Sequence, residues 1–168
     1  MITARIDELP LSKGWSELEP DVAFEFGLAV SKANGSASSQ VVCVTLDPGK
    51  SGGRHRHSAE EILFVLEGTA QLAIGNDWER LSKGDMAVIP AAIAHEPTNV
   101  GSERLRYLAI FPSAIVVHTW DAPVGPAGER TFVTPRPKPE VQAASWSDEQ
   151  SRAVGRAARA AVPSSRQP

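Results

Sequence analysis

The sequence is poor in the features that mark several special classes of protein. It has one cysteine, Cys43, which excludes an internal disulfide and a thiolate zinc cluster. It has no apolar run near the roughly 18 residues of a membrane-spanning helix, so we expect no membrane partner. The formal net charge is −3, which argues against a nucleic-acid surface. The lone cysteine and a mixed-charge start without an apolar block fit a cytoplasmic location.

What remains is the composition of an ordinary globular chain of one domain's length. Hydrophobic residues make up 42% of its 168 residues and charged residues 22%. We predict a β-rich domain over residues 1–134 and a separate tail over residues 135–168. The tail is rich in proline, alanine and arginine, and the alanine-rich stretch 147–162 predicts a short helix. A solvated, disordered tail and an arm packed on another subunit are the alternatives.

Short apolar and β-branched runs fill the predicted domain. Examples are residues 41–46, 61–66, 69–74 and 105–111, and glycines and prolines separate them. Strand-like runs at roughly 10-residue spacing are typical of an antiparallel sandwich or barrel. The fold class is therefore all-β. No stretch of helical periodicity interrupts it.

Three of the four histidines form one arrangement with a glutamate. His55 and His57 are two residues apart, so on an extended strand their side chains point the same way, and Glu61 follows with the same parity. His95 lies in a separate turn and strand. These four side chains can converge only if the sheet curves closed, as in a barrel. Three imidazoles and one carboxylate suit a first-row divalent metal.

These residues resemble the two motifs of the cupin family. The first motif, G-x5-H-x-H-x3-E-x6-G, is matched without a gap by Gly49, His55, His57, Glu61 and Gly68. The second, G-x5-P-x-G-x2-H-x3-N, is matched by Gly84, Pro90, His95 and Asn99. Its one departure is Ala92, which stands where the family usually has glycine. Alanine tolerates a positive φ poorly, so this departure affects the expected conformation of the turn before His95 and not the ligands themselves.

The resemblance implies a fold and a metal site. The fold is an antiparallel double-stranded β-helix, the jelly-roll or cupin barrel, and the implied ligands are His55, His57, Glu61 and His95. The implied cofactor is one divalent transition metal per chain: iron, manganese, nickel, copper or zinc. Zinc in a structural site is usually closed with four ligands, whereas the other ions more readily take five or six and leave positions open for substrate.

The leading functional hypothesis is a metal-dependent enzyme acting on a small organic molecule. Among relatives of this kind, a dioxygenase of an aromatic or enol-type substrate is our first choice. One alternative is a non-redox isomerase, cyclase or decarboxylase on the same site. Another is a non-catalytic small-molecule-binding protein. The ligand Glu61 is also a candidate base, because a carboxylate is the most labile of the four ligands.

Apolar residues on the inward parity of two strands are candidates for the substrate pocket. They are Leu63, Val65, Tyr107 and Phe111. Tyr107 is a candidate catalytic residue that offers a phenol to the substrate, and a core aromatic is its alternative role. His118 is either an acid or base in the pocket or a half-buried strand residue. Cys43 is a candidate inward-facing residue, and packing is its usual role.

Both faces of the strand over residues 61–66 are apolar. The barrel interior covers the face with Leu63 and Val65. The opposite face, with Ile62, Phe64 and Leu66, needs another cover. Residues 22–30 are one candidate cover and a second subunit is another. Dimerisation is common in the family that the sequence resembles, so we expect a homodimer.

Overall fold

The computed structural model describes residues 3–136 of the chain, which form two six-stranded sheets. The strand order is β1-β2-β3-β10-β5-β8 in the first sheet and β12-β11-β4-β9-β6-β7 in the second. All pairings between these strands are antiparallel. The strands are β1 (Ser12–Trp15), β2 (Ala23–Val30), β3 (Gln40–Leu46), β4 (His55–His57), β5 (Glu61–Glu67), β6 (Thr69–Ile74), β7 (Asp77–Ser82), β8 (Met86–Ile89), β9 (His95–Asn99), β10 (Leu105–Phe111), β11 (Val116–Val124) and β12 (Glu129–Thr134). Two 3₁₀ turns, Ile6–Glu8 and Lys32–Asn34, complete the description.

Alternation of side chains builds the core between the sheets. In β5, Leu63 and Val65 are fully buried, whereas Ile62 and Phe64 are half-buried on the outer face. The same alternation runs along β10, where Tyr107 lies on the buried parity. Burial of a leucine or valine side chain contributes about 1.5–3 kcal/mol, so this two-residue period fixes the register of each strand. The all-β fold predicted from the sequence is confirmed.

Two strands differ from the sequence analysis. The apolar runs did not indicate strand β12, which pairs with β11 along residues 116–119. It follows a segment rich in proline and glycine, and its own sequence is mostly polar. Residues 22–30 were one candidate cover for the outer face of residues 61–66. Ala23–Val30 instead form β2 within the sheet, because this segment pairs with β3. The helix predicted over 147–162 lies outside the described residues.

The outer face of β5 and β8 presents apolar side chains to solvent. Met86 is 61% exposed and Val88 is 58% exposed, and they stand opposite Phe64 and Ile62 across the strand pair. The N-terminal segment Leu9–Leu11 covers a different part of the same sheet, above Gly27. The expectation that a second subunit covers the β5–β8 face stays a prediction.

Within residues 3–136, no helix has the length and apolar character needed to span a bilayer.

Candidate metal centre

The first three residues of the candidate site come from β4 and the start of β5. His55 and His57 are buried at the two ends of β4, and Arg56 between them is exposed. The same alternation that buries the histidines places the Arg56 side chain on the outer face. There Arg54 Nε lies 3.3 Å from Asp121 Oδ2, and Arg56 Nη2 lies 3.8 Å from Asp121 Oδ1. Glu61 begins β5 and is also buried.

The fourth residue, His95, arrives on a strand distant in sequence. Strand β9 lies between β4 and β6, and its register places His95 directly opposite His55. Closure of the sheets around this point brings the four side chains together. One ligand atom from each of the four lies within 4.8 Å of the others, and all four residues are buried. The sequence prediction that they converge agrees with this geometry.

Two of the three imidazole rings, those of His55 and His95, are oriented by hydrogen bonds to the backbone. His55 Nδ1 lies 2.7 Å from the carbonyl oxygen of Gly53, and His95 Nδ1 lies 3.1 Å from that of Ile93. A carbonyl oxygen only accepts, so each Nδ1 carries the proton and each Nε2 presents a lone pair to the site. This arrangement is typical of metal-binding histidines, whose second nitrogen is held by a carbonyl or carboxylate.

Two buried atoms at the centre lack a well-aligned hydrogen bond. Glu61 Oε2 lies 2.9 Å from His57 Nε2 and 3.2 Å from His95 Nε2. Nevertheless, Glu61 Oε2 and His95 Nε2 have no hydrogen-bond partner of acceptable geometry among the described residues. Leaving such groups unpaired in an apolar interior is costly. A cation held by the carboxylate and the imidazole lone pairs would satisfy them, so the residues present fit a divalent metal.

Burial and neighbouring groups favour the deprotonated forms that bind metal. Burial lowers the pKa of His55 well below its ordinary value, and His95 and His57 lower it further. Burial alone would raise the pKa of Glu61, but contacts with His57 and His95 outweigh burial and hold that pKa well below its usual range. A neutral imidazole and an ionised carboxylate are the states required of metal ligands.

The turn before His95 adopts the conformation that the cupin motif normally gives to glycine. Ala92 has φ of 64°, the only positive φ among the non-glycine residues of the described chain. Its N–H donates to the carbonyl oxygen of His57 at 2.8 Å, so the strained residue ties the second motif to the first. Alanine therefore occupies the left-handed conformation here at a cost of about 1–2 kcal/mol.

A cavity of about 50 Å³ adjoins three of the four residues, His55, His57 and Glu61. Tyr107 and Phe111 line it together with Val42 and Val44 of β3. Leu63 and Val65, the other two residues predicted for the substrate pocket, do not line it. Glu61 is the one residue of β5 in the lining, and Leu63 and Val65, further along the strand, are fully buried in the core.

Stacked aromatic rings form the opposite wall of the cavity. Trp120 stacks on Phe132 with ring centroids 4.8 Å apart and on His55 at the same distance. Its indole N–H donates to the carbonyl oxygen of Gly52 at 2.9 Å, which fixes the ring. Phe24 completes the wall by stacking on Trp120 at 6.0 Å. Phe24, Trp120 and Phe132 were not predicted as pocket residues, and the inward parity of Phe24 on β2 was the available signal.

His118 also lies in the cavity wall and is buried. Its Nε2 is 2.5 Å from the hydroxyl of Thr134, which donates to Gln40 Oε1 at 2.7 Å. The threonine hydroxyl thus links His118 Nε2 to Gln40 inside the wall. Burial lowers the pKa of His118 to about 3, with His57 adding to the shift. His118 is a strand residue of β11 that is buried rather than half-buried, and its ring faces the cavity.

The remaining candidates take different positions. Burial raises the pKa of Tyr107 well above its ordinary value, and Glu61 raises it further, so the phenol stays protonated. Cys43 is buried but has the opposite parity from Val42 and Val44, so it lies on the outer side of the sheet, near Arg106. The alternation of β3 therefore excludes Cys43 from the cavity.

Comparisons with known proteins agree with this geometry. The cupin domain family matches residues 42–111. An uncharacterised protein of Streptomyces coelicolor is 32% identical over 66 residues, which cover 39% of this chain and 62% of that protein. The chain therefore spans less than two thirds of the length of that curated relative.

Three solved structures are similar in fold. A candidate sugar phosphate isomerase from Acidithiobacillus ferrooxidans is 26% identical, with a TM-score of 0.56, over 68% of this chain and 76% of its own. A predicted oxalate decarboxylase from Thermotoga maritima is 22% identical, with a TM-score of 0.56, over 66% and 97%. A polyketide cyclase from Streptomyces resistomycificus is 17% identical, with a TM-score of 0.56, over 67% and 79%. The last two similarities concern the fold alone.

Proposed function

We propose, because the chain belongs to the cupin superfamily, that it is a metal-dependent enzyme acting on a small organic molecule. The proposed ligands are His55, His57, Glu61 and His95. The observation that carries the proposal is the buried convergence of these four residues, with two imidazoles already oriented by backbone carbonyls. One ion of iron, manganese, nickel, copper or zinc would polarise a substrate oxygen there, and a redox-active ion would also transfer electrons.

The cavity supports an aromatic or enol-type substrate. Its described lining is aromatic and aliphatic apart from the histidines, Glu61, Tyr107 and Thr134, and contains no lysine or arginine. Apart from the proposed metal ion, the lining therefore offers no cation to a dianion such as oxalate or to a sugar phosphate, whose loss of hydration is costly. A flat ring or enol instead gains contact with Trp120 and Phe132.

Three groups of the chain would handle the substrate. The Tyr107 phenol stays protonated and lines the cavity, so it can donate a hydrogen bond to a substrate oxygen. His118 lines the cavity and can form a hydrogen bond with a substrate hydroxyl. Glu61 is ionised, and if it leaves its ligand role it can take a proton. The apolar wall excludes water and so strengthens each of these interactions.

For the reaction we propose a dioxygenase. Four protein ligands on an ion that accepts five or six leave positions open, and an apolar aromatic cavity suits a catechol or enol substrate. A non-redox isomerase, cyclase or decarboxylase is the second candidate, because the similar solved structures carry those three names. A non-catalytic binding protein is the third candidate, and the complete set of four ligand residues favours catalysis over it.

The proposal extends to the assembly. We propose a domain over residues 1–134, a tail over 135–168 and a homodimer in which the partner covers the exposed face of Met86 and Val88. A small molecule is the proposed partner of the site, in a cytoplasmic protein.

The experiment that tests the function is oxygen uptake by protein loaded in turn with iron, copper, nickel and manganese. The substrates are a panel of catechols and enols, with sucrose phosphate and oxalate as charged controls. Uptake with a catechol or enol supports the dioxygenase. Conversion of a panel member without oxygen uptake supports the isomerase, cyclase or decarboxylase. Tight binding without conversion of any member would leave the binding protein.

A further inference from the structure

The cavity beside the four proposed ligands is too small for a whole aromatic substrate. Its volume of about 50 Å³ is well below the roughly 150 Å³ that holds a benzene molecule in a protein core. Even a one-ring substrate must therefore leave part of its body outside the cavity. The rest of the substrate needs a second place on the protein.

A groove of about 520 Å³ lies next to that cavity. Four residues line both spaces, so the cavity and the groove share a wall made of Phe24, Phe26, Phe132 and Thr134. The groove runs between β1 and β2 of one sheet and the hairpin of β11 and β12 of the other.

The two walls of the groove are tied together at Trp15. The N–H of Gly125 donates to the carbonyl oxygen of Trp15 at 2.6 Å, and a side chain at Gly125 would overlap the indole ring, with its Cβ 2.4 Å from a ring atom. Trp15 is still 40% exposed, so its ring forms a wall of the groove without filling it. The groove is thus a built feature that joins the two sheets.

The lining of the groove indicates the chemistry of its occupant. Apolar residues form the floor and sides: Trp15, Phe24, Phe26, Leu28, Val124 and Phe132. The charged residues along it are of both signs, with Lys13 and Arg136 positive and Glu129 negative. This lining favours an uncharged apolar group over an anion or a cation.

We propose that this groove is a second substrate subsite, which holds an uncharged apolar extension of the molecule whose reacting oxygens enter the cavity. The proposal rests on the proposed function for the identity of the reacting group, and it adds the class of substrate. That class is an aromatic or enolic compound that carries an alkyl chain or further fused rings. A compact catechol or a small hydroxy acid has no such extension and would leave the groove empty.

The test compares the dissociation constants of 4-methylcatechol and 4-hexylcatechol by isothermal titration under nitrogen, with metal-free and nickel-loaded protein. Each buried methylene strengthens binding about fourfold, and a half-open groove would bury two or three of the five extra methylenes. We therefore expect 4-hexylcatechol to bind about 30-fold more tightly. Ala127→Trp fills the groove from the exposed β11–β12 turn and should reduce that ratio to a few-fold, whereas Asn76→Trp, on the distant β6–β7 turn, should preserve it.

The outcomes separate the subsite from the proposed function. The ratio of the dissociation constants of the two catechols tests the subsite. The increase in the affinity for 4-methylcatechol when nickel is bound tests the metal function. A ratio near one overturns the subsite, because it means that another segment or a second copy fills the groove in solution. An equal ratio in both tryptophan variants also overturns it, because the gain is then non-specific.

Discussion

Gly68 is the position where the structure makes the sharpest prediction about stability. It ends the first motif at φ of 80°, and a Cβ there would lie 2.7 Å from the carbonyl oxygen of Arg104 and 2.9 Å from Leu105 Cα. Both neighbours are backbone atoms of the chain entering β10, so neither can rotate away. Gly75, in the β6–β7 turn, has φ of 60° but no atom within 4 Å of such a Cβ. The two glycines therefore share the conformation and differ in the space around them.

The expected cost of Gly→Ala follows from these two differences. The left-handed conformation costs alanine about 1–2 kcal/mol, and the loss of chain freedom in the unfolded state returns about 0.4–1 kcal/mol. Gly75→Ala should therefore lower the free energy of unfolding by about 1 kcal/mol or less. Gly68→Ala adds the displacement of backbone, about 1–3 kcal/mol, and should cost about 2–4 kcal/mol in all.

Urea denaturation followed by tryptophan fluorescence measures both variants. The midpoints should separate clearly, with Gly68→Ala the less stable. Equal losses of stability in the two variants would refute the reasoning, because the conformation alone would then account for the effect. If Gly68→Ala is unfolded while Gly75→Ala is stable, the result supports the added cost of backbone overlap at Gly68.

Three further predictions concern the site and the turn beside it. Ala92→Gly should raise the free energy of unfolding by up to about 1 kcal/mol in urea titrations, because glycine relieves the positive φ; a loss of stability would contradict the assigned strain. Metal at 100 times its dissociation constant should stabilise the protein by about 2.7 kcal/mol, seen as a rise in Tm that Glu61→Gln diminishes; an unchanged rise in that variant would remove Glu61 from the ligand set. Tyr107→Phe should keep its metal and its fold but turn over the proposed substrate at least about tenfold more slowly, since it loses one hydrogen-bond donor; full activity would leave Tyr107 with packing alone.

Much of the fold was predictable because the site and the core depend on local patterns. The parity of His55, His57 and Glu61 requires only an extended chain, and the apolar alternation of β5 and β10 fixes which face is buried. Neither the parity of the site residues nor the choice of buried face depends on how the barrel closes. The agreement of His55, His57 and Glu61 with the observed cluster follows from this parity, whereas His95 was assigned to the site through the resemblance to the second cupin motif.

The shape of the cavity was not predictable because it depends on how the strands pack together. Leu63 and Val65 have the same inward parity as Tyr107, but they pack into the core instead of lining the cavity, and parity carries no information on where along a strand a cavity forms. Phe132 was missed for the same reason, since β12 joins the wall only through its pairing with β11. The pairing of His118 with Thr134 is likewise a contact between strands far apart along the chain.

The central claim is that the buried histidines and Glu61 hold a metal, and metal content per chain tests it most directly. We would measure it by elemental analysis of untagged protein after equal exposure to the ion, for the wild type, His55→Ala, His95→Ala and, as the matched control, His118→Gln. Circular dichroism would establish that each variant is folded. The account predicts about one ion per chain in the wild type and in His118→Gln, and little or none in the folded His55→Ala and His95→Ala variants. Equal metal content in all four proteins would contradict it.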